Sequence, residues 1–378
     1  MSRTEVLTLQ RSWRFSPSSA GVVVWSVVEQ RPFVMKSPRP ERLETLFFAL
    51  TRGVQASRAE ALLARYSGLS AGIVREALDF LRSSDALVTR RKSQDRAEGD
   101  SLYDRQIRFL STFESQGTTG QALNRRLQNR KILVVGVGGV GSWIALLCAR
   151  IGIKGIVLLD PDRVELSNLS RQILYTNEDI GKPKVKAAVR NLSRVDPSLQ
   201  VDGHQVAVRS PDDLEPFLDG VSLVFNTFGL LPLDQSHDTP FESVALAALE
   251  AKVPSLIMTA SWVGPLTVPG KTACYWCAVS DKRINDTILR SPARPGSFQA
   301  AFAPRIGITT SVAVWEAARY LSGISRPATM DGIISLDLQH YTKHSLLKLA
   351  RNVHCRHCGP PVAGIATKRR KSAKVVLT

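Results

Sequence analysis

Residues 131–142 read KILVVGVGGVGS: four consecutive apolar side chains, Ile132 to Val135, run directly into glycines at 136, 138, 139 and 141. An apolar run of that kind predicts a strand buried on both faces. The Gly136-x-Gly138-x-x-Gly141 spacing follows it, and the pattern from Ser142 to Ile151 predicts a helix. A second buried strand, GIVLLD, ends at Asp160, 24 residues after Gly136. Glycines allow a tight turn and close approach of the backbone to phosphates, and an acid at the next strand end takes ribose hydroxyls. The stretch points to an adenine nucleotide, and both NAD and ATP fit it.

Outward from this loop, residues 184–192 read as helix, 201–208 as extended, 221–228 as a buried strand, 242–251 as helix and 253–260 as extended. Strand alternating with helix predicts an α/β, doubly wound, Rossmann-like domain with a parallel sheet. Residues 1–91 are patterned differently. Val22–Val28 reads as a strand, with a turn near Arg31-Pro32 and a second strand at Phe33–Met35. Three helical patterns follow. The first carries Leu43, Leu46, Phe47 and Leu50. The second is capped by Ser57 and carries Ala61, Leu62 and Tyr66. The third is capped by Ser70 and carries Val74, Leu78 and Leu81. A strand at Ala86–Thr89 closes a small, winged-helix-like α+β domain. Residues 92–100, KSQDRAEGD, read as a linker, 101–362 as the nucleotide domain and 363–378 as a basic tail.

The next stretch separates the two nucleotides. DPDRVELSNLSRQ (160–172) is followed by GKPK (181–184). A dehydrogenase has no use for this polar cluster, whereas attack on the α-phosphate of ATP does. Arg171 and Lys184 can neutralise the phosphates as pyrophosphate leaves, and Asn168 and Gln172 can orient oxygens.

GVGGVGS, DPDRVELSNLSRQ and GKPK together resemble the ThiF/MoeB-type adenylating enzymes, relatives of the ubiquitin-activating enzymes. The resemblance begins at Tyr103-Asp-Arg105-Gln-Ile107 and runs to the second cysteine pair. It implies that Gly138 and Gly139 contact nucleotide, that Asp160 holds the ribose with Asp162 beside it, and that Ser167, Asn168, Arg171 and Gln172 line the phosphate site with Lys184 on the phosphates. It also implies a homodimer in which Arg105 reaches the partner subunit's site. One position departs from the pattern. The family's magnesium-holding Asp falls here at Phe228 or Gly229, and Asp234 is the acid that can replace it for Mg2+.

Four of the five cysteines form two pairs, Cys274-x-x-Cys277 and Cys355-x-x-Cys358, with 77 residues between them. This is the spacing of a structural four-thiolate Zn2+ site, closed to chemistry. His354 and His357 are read as surface residues rather than ligands. The remaining Cys148 sits in an apolar stretch and reads as a buried structural thiol, which leaves no catalytic cysteine.

Hydrophobic residues make up 44% and charged residues 22%, which excludes a mainly disordered chain. No apolar run approaches membrane-spanning length, and the first residues have no secretory apolar segment, so a cytoplasmic protein without membrane partners is expected. The net charge is +17, but residues 341–378 hold nine Lys/Arg and no Asp/Glu, so about half of the excess lies in the last tenth of the chain. A nucleic-acid partner is therefore not expected.

About 100 residues precede the point where sulfur-carrier adenylating enzymes usually begin. In element order and size they resemble the winged-helix peptide clamp fused to peptide-maturation enzymes, such as the microcin C-type and pantocin-type adenylating enzymes. That resemblance implies ATP-dependent adenylation of a carboxyl or carboxamide group on a ribosomally made precursor peptide, docked through its leader, during antibiotic biosynthesis. The alternatives are an adenylyltransferase for a ubiquitin-like sulfur carrier in thiamine or molybdopterin biosynthesis, and a DNA-binding regulator.

Overall fold

The computed structural model describes residues 5–26, 32–91, 102–114, 118–227, 240–259, 261–284, 301–337 and 345–359. The chain divides into two compact units. One comprises Met1–Arg130, Cys148–Lys154 and Ala318–Arg326; the other comprises Lys131–Leu147, Gly155–Ala317 and Pro327–Thr378.

The first unit opens with β1 (Glu5–Leu9), β2 (Trp13–Ser18), β3 (Gly21–Ser26) and β4 (Phe33–Lys36). Helices α1 (Pro40–Arg52), α2 (Ala59–Ser67) and α3 (Ala71–Ser83) follow, with the short β5 (Val54–Gln55) after α1 and β6 (Leu87–Arg91) after α3. Strands β2, β3 and β4 form an antiparallel sheet, and β1 lies between β5 and β6 in another. The periodicity of α1 and α3 predicted their buried faces: Leu43, Leu46, Phe47 and Leu50 are buried, as are Val74, Leu78 and Leu81. Ser70 caps α3 by accepting the Ile73 amide at 3.4 Å.

Helix α2 differs from the expectation. A turn of 3-10 helix at Ala56–Arg58 precedes it, and Ser57 makes no capping bond. Leu63 is fully buried, whereas Ala61 and Tyr66 are exposed. The extra turn rotates the inward face by one position. Strands β1 and β2 were not anticipated. β1 is recruited by β6, with Leu7 opposite Thr89, a pairing across some 80 residues. Of the expected strand Val22–Val28, residues 27 and 28 lie outside the described residues, as does Arg31 of the turn.

The unit continues into α4 (Asp104–Leu110) and α5 (Gly120–Gln128). Tyr103, buried before α4, packs its ring where a side chain at Gly152 would stand, about 3.0 Å from an added Cβ.

The second unit is built on one eight-stranded sheet. Its strands are β7 (Lys131–Val135), β8 (Gly155–Leu159), β9 (Gln200–His204), β10 (Leu223–Asn226), β11 (Ser255–Met258), β12 (Trp262–Thr267), β13 (Gly332–Ser335) and β14 (Ser345–Lys348). The order is β14-β13-β12-β11-β10-β7-β8-β9. The five strands from β11 to β9 are parallel, with Val134 opposite Leu158 and Phe225. The five parallel strands are the ones read from the sequence; the three remaining strands, which that reading did not include, are antiparallel, so the whole sheet is mixed. Helices α6 (Gly139–Arg150), α7 (Lys184–Val195) and α8 (Pro240–Glu250) are the crossovers, and α9 (Tyr275–Ser280), α10 (Lys282–Ile284) and α11 (Ala303–Ser322) are the further helices among the described residues. α6 begins at Gly139 rather than Ser142, because the glycine loop already belongs to its first turn.

Candidate active site

The centre of the second unit is the turn between β7 and α6. Gly136 has φ 89°, and its amide donates to the Leu159 carbonyl at 2.7 Å. At Gly141 a Cβ would stand 1.8 Å from the Gly136 carbonyl oxygen, so only glycine permits this turn. Thr227, just past β10, locks the loop from the other side. Its hydroxyl lies 2.9 Å from the Gly136 carbonyl and 2.8 Å from that of Val135. The buried Tyr175 hydroxyl donates to the Val137 carbonyl at 2.8 Å. These two clasps fix where the free loop amides point, as phosphate recognition by backbone requires.

Asp160 is 4% exposed at the end of β8. Its carboxylate accepts the Val137 amide at 2.6 Å and the Asp162 amide at 2.8 Å. Burial pushes its pKa up against the pull of the Lys184 ammonium and these amides. Lys184 opens α7 and is 6% exposed, a rare position for a lysine. Its Nζ lies 2.8 Å from Asp162 Oδ2 and 4.0 Å from Asp160 Oδ1. Asp162 itself is largely exposed. The site thus has a buried ammonium, one buried acid and one solvent-facing acid beside the glycine loop.

The segment between β8 and α7 is held without regular structure. Glu165 and Asn168 form a reciprocal capping box on one 3-10 turn, and Thr176 and Asp179 form another. Asp179 is fully buried and accepts Thr176 N at 3.0 Å and Asn191 Nδ2 at 3.0 Å, and it pairs with Arg190. Burial raises its pKa, yet these donors outweigh that, and the net shift is downward. Arg171 is half-buried; its guanidinium donates to the Ser167 carbonyl at 2.7 Å, and its own carbonyl accepts the Trp143 indole at 3.0 Å. A Cβ on Gly139 would lie 3.8 Å from the Arg171 side chain, and one on Gly138 would lie 3.9 Å from Gln172 Nε2. Ser167 is exposed and Asn168 buried. Gln172 Oε1 and Asn226 Oδ1 are buried acceptors with no hydrogen-bond partner among the described residues, each suited to a donor brought by a ligand.

Gly138, Gly139, Asp160, Asp162, Ser167, Asn168, Arg171, Gln172 and Lys184 therefore occupy one stretch of the second unit. Arg105 is exposed on α4 of the first unit. Phe228, Gly229 and Asp234, the positions weighed for magnesium, lie outside the described residues. Tyr175, Thr227, Trp143 and Asn226 were not singled out from the sequence. Thr227 carried a usable signal, since it follows the strand next to β7; Tyr175 carried none.

The four paired cysteines converge. Cys274–Cys277, Cys274–Cys355 and Cys277–Cys358 sulfurs stand 3.8, 3.7 and 3.4 Å apart, and all four lie within 4.8 Å of one another. Tetrahedral zinc with Zn–S near 2.3 Å requires sulfurs about 3.8 Å apart, so the four thiolates fit it. His354 and His357 are exposed, and His357 stacks on Trp276 at 3.8 Å. Cys148 is fully buried on α6, and burial drives its thiol far above the ordinary range.

Among the described residues no helix is long and apolar enough to cross a membrane. The chain is 31% identical over 241 residues to the E. coli sulfur carrier protein ThiS adenylyltransferase, covering 62% of this chain and 88% of that one. It is 30% identical over 248 residues to ubiquitin-like modifier-activating enzyme 5 of Drosophila virilis, covering 62% of this chain but 60% of the enzyme's length. Among solved structures, that of the microcin C7 biosynthetic enzyme MccB of E. coli in complex with N-formylated MccA superposes with a TM-score of 0.74 at 19% identity, over 94% of this chain and all of that one. That likeness establishes a shared fold extending through the first unit. The ThiF family model matches residues 103–357, which contain the glycine loop, the Asp160–Lys184 cluster and all but the last of the four zinc-type cysteines, and the chain belongs to the ThiF family.

Proposed function

We propose that the protein uses ATP to adenylate a carboxyl or carboxamide group on a ribosomally made precursor peptide, as a step in peptide-antibiotic maturation. The observation that carries this reading is the combination of a ThiF-family site with a preceding strand-and-helix module. The match to the whole of MccB, a protein solved with ATP and with MccA, supports it.

Carboxylates are poor electrophiles because oxide is the leaving group. In the proposed step the substrate oxygen bonds to the α-phosphorus, the bond to the bridging β-phosphate oxygen breaks, and pyrophosphate departs with that electron pair. Asp160 would take the ribose, with Asp162 beside it. The glycine-loop amides at Gly138 and Gly139 would cradle the phosphates, with Ser167, Asn168 and Gln172 around them. Lys184 and Arg171 would stabilise the charge that grows on the leaving group. Asp234 would hold magnesium, and the four cysteines zinc as a closed structural centre. Arg105 would act across a homodimer. No cysteine nucleophile is assigned, so the acyl-adenylate is attacked by water or by a group on the peptide.

The leader would dock at residues 1–91, along β4, an edge strand among the described residues, and the neighbouring face of α3. Val34, Ile73 and Phe80 are 48%, 45% and 41% exposed there, and the Phe33 ring meets Phe80 edge-on at 4.7 Å. An added strand with apolar anchors fits such an edge. The similarity to the ThiS adenylyltransferase favours a second reading, adenylation of a sulfur-carrier protein. Incubating the protein with ATP and each candidate substrate, with mass spectrometry of the products, separates the two. An AMP adduct or adenylation-dependent product on a precursor peptide supports the first reading, and an adduct on a carrier C-terminus alone refutes it.

A further inference from the structure

The net charge of the chain is not absorbed by the nucleotide site, and part of it converges in the first unit on the side of β1 and β6. A cavity of about 430 Å³ opens there between β1, β2, the end of α1, β6 and α4. Arg11, Arg14, Arg52, Arg90 and Arg108 line it, drawn from four separate stretches of chain, and none of the described lining residues is acidic or a lysine. Its size is that of a small-ligand pocket.

The arginines are held to different degrees. Arg90 forms the floor, 8% exposed, with its guanidinium 2.7 Å from Glu114 Oε2. Glu114 is itself fixed, because its Oε1 accepts the Gly120 amide at 2.9 Å. Arg108 pairs with Asp104 at 3.0 Å. Arg14 donates through NH1 to the carbonyls of Arg11 and Trp13, at 2.6 and 3.0 Å, which pins the side chain and leaves its other nitrogens without a partner among the described residues. Arg52 lies in the last turn of α1, and its side chain makes no hydrogen bond or ion pair among the described residues. Two guanidinium forks, Arg14 and Arg52, therefore meet no carboxylate of the described chain and face a cavity walled by three more.

We propose that this cavity binds an acidic peptide segment, carrying two or more carboxylates, of the same substrate whose leader docks at β4. Planar guanidinium forks take carboxylates bidentately, whereas a lysine-lined site would act as point charges. Among the described lining residues the one aromatic ring is Trp13, 7% exposed and packed against Phe33 at 5.6 Å, so the cavity offers a nucleobase no exposed aromatic ring. The inference rests on the proposed peptide substrate, and it gives that peptide a second, electrostatic anchor away from the β4 edge.

The test measures binding of a fluorescent octaglutamate peptide to the full-length protein by anisotropy at low salt, without ATP. Arg52→Glu, which breaks no hydrogen bond, should weaken binding at least tenfold, and Arg14→Glu likewise. Arg65→Glu, an exposed change of equal charge on α2 away from the cavity, should leave binding within twofold. An equal loss in Arg65→Glu would overturn the site as mere net-charge attraction. Tighter binding of an eight-nucleotide single strand than of octaglutamate, lost with Arg52→Glu, would overturn the peptide assignment. Because the assay contains no ATP, a positive result stands even where no AMP adduct forms, and an adduct formed alongside a negative result removes this anchor alone.

Discussion

Replacing Lys184 by alanine separates the two things that its ammonium does. In the protein at rest it neutralises Asp162 at 2.8 Å and leans on Asp160 at 4.0 Å. In the proposed reaction it faces the phosphates. The first role is modest: the Asp162 carboxylate is 62% exposed, so that pair is worth under about 1 kcal/mol. The fold should survive with a Tm only about 2–4 °C lower. The second role is large, because a preorganised charge lost from a desolvated site costs about 3 kcal/mol of transition-state stabilisation, or roughly a hundredfold in rate. Asp160 gives a further signature. Burial already raises its pKa and the ammonium opposes that rise. Without Lys184 the pKa climbs further, so nucleotide binding by the variant should weaken on acidification at a higher pH than in the wild type. Turnover can be followed by AMP release and binding by titration calorimetry, each across pH. A variant within about threefold of wild-type turnover, with an unmoved pH limb, would refute the placement of Lys184 on the phosphates.

Three further outcomes are expected. Cys148→Ala should keep activity within about twofold, and no thioester should be trapped, whereas Cys274→Ser should lose bound zinc, measured by elemental analysis, together with thermal stability. An Arg105→Ala protein mixed with a Lys184→Ala protein should regain activity once subunits exchange, because one of the two shared sites then carries neither change; absence of rescue would place Arg105 in its own subunit's function or none. Asp179→Asn should destabilise the protein by about 2 kcal/mol at pH 7, as the replacement turns an acceptor toward the donors of Arg190 and Asn191 into a donor. The folded-state pKa of Asp179 lies below its ordinary value, so its contribution is complete above the unfolded carboxylate pKa of about 3.9 and is lost as pH falls through the folded value. Denaturant titrations of both proteins should therefore converge only at strongly acidic pH.

The parts of this fold that were legible are those whose physics is local. The run from Lys131 to Gly141 states its strand, its turn and its helix start in eleven residues, and the acid at 160 follows at fixed distance. The four cysteines announce themselves by chemistry, although 77 residues separate the pairs. What escaped depends on distant partners. Strand β12 contains Gly264 and Pro265, residues that argue against a strand, yet all six of its positions are buried between β11 and β13. Strand β14 has only four residues, and β1 exists through β6. In the candidate site, Tyr175 reaches a carbonyl 38 positions away and Thr227 one 92 positions away, and no local pattern encodes either contact. Helix α2 shows a smaller failure of the same kind, since one unforeseen 3-10 turn was enough to move Leu63 into the core in place of the expected Tyr66.

Exchange of labelled pyrophosphate into ATP in the presence of the precursor peptide reads the proposed adenylation step itself. Acyl-adenylate formation is reversible, so exchange should appear with the peptide, vanish without it, fall roughly a hundredfold in Lys184→Ala, and be accompanied by AMP. Release of ADP and phosphate with no AMP and no exchange would rule out attack at the α-phosphate and place the chemistry at the γ-phosphate instead.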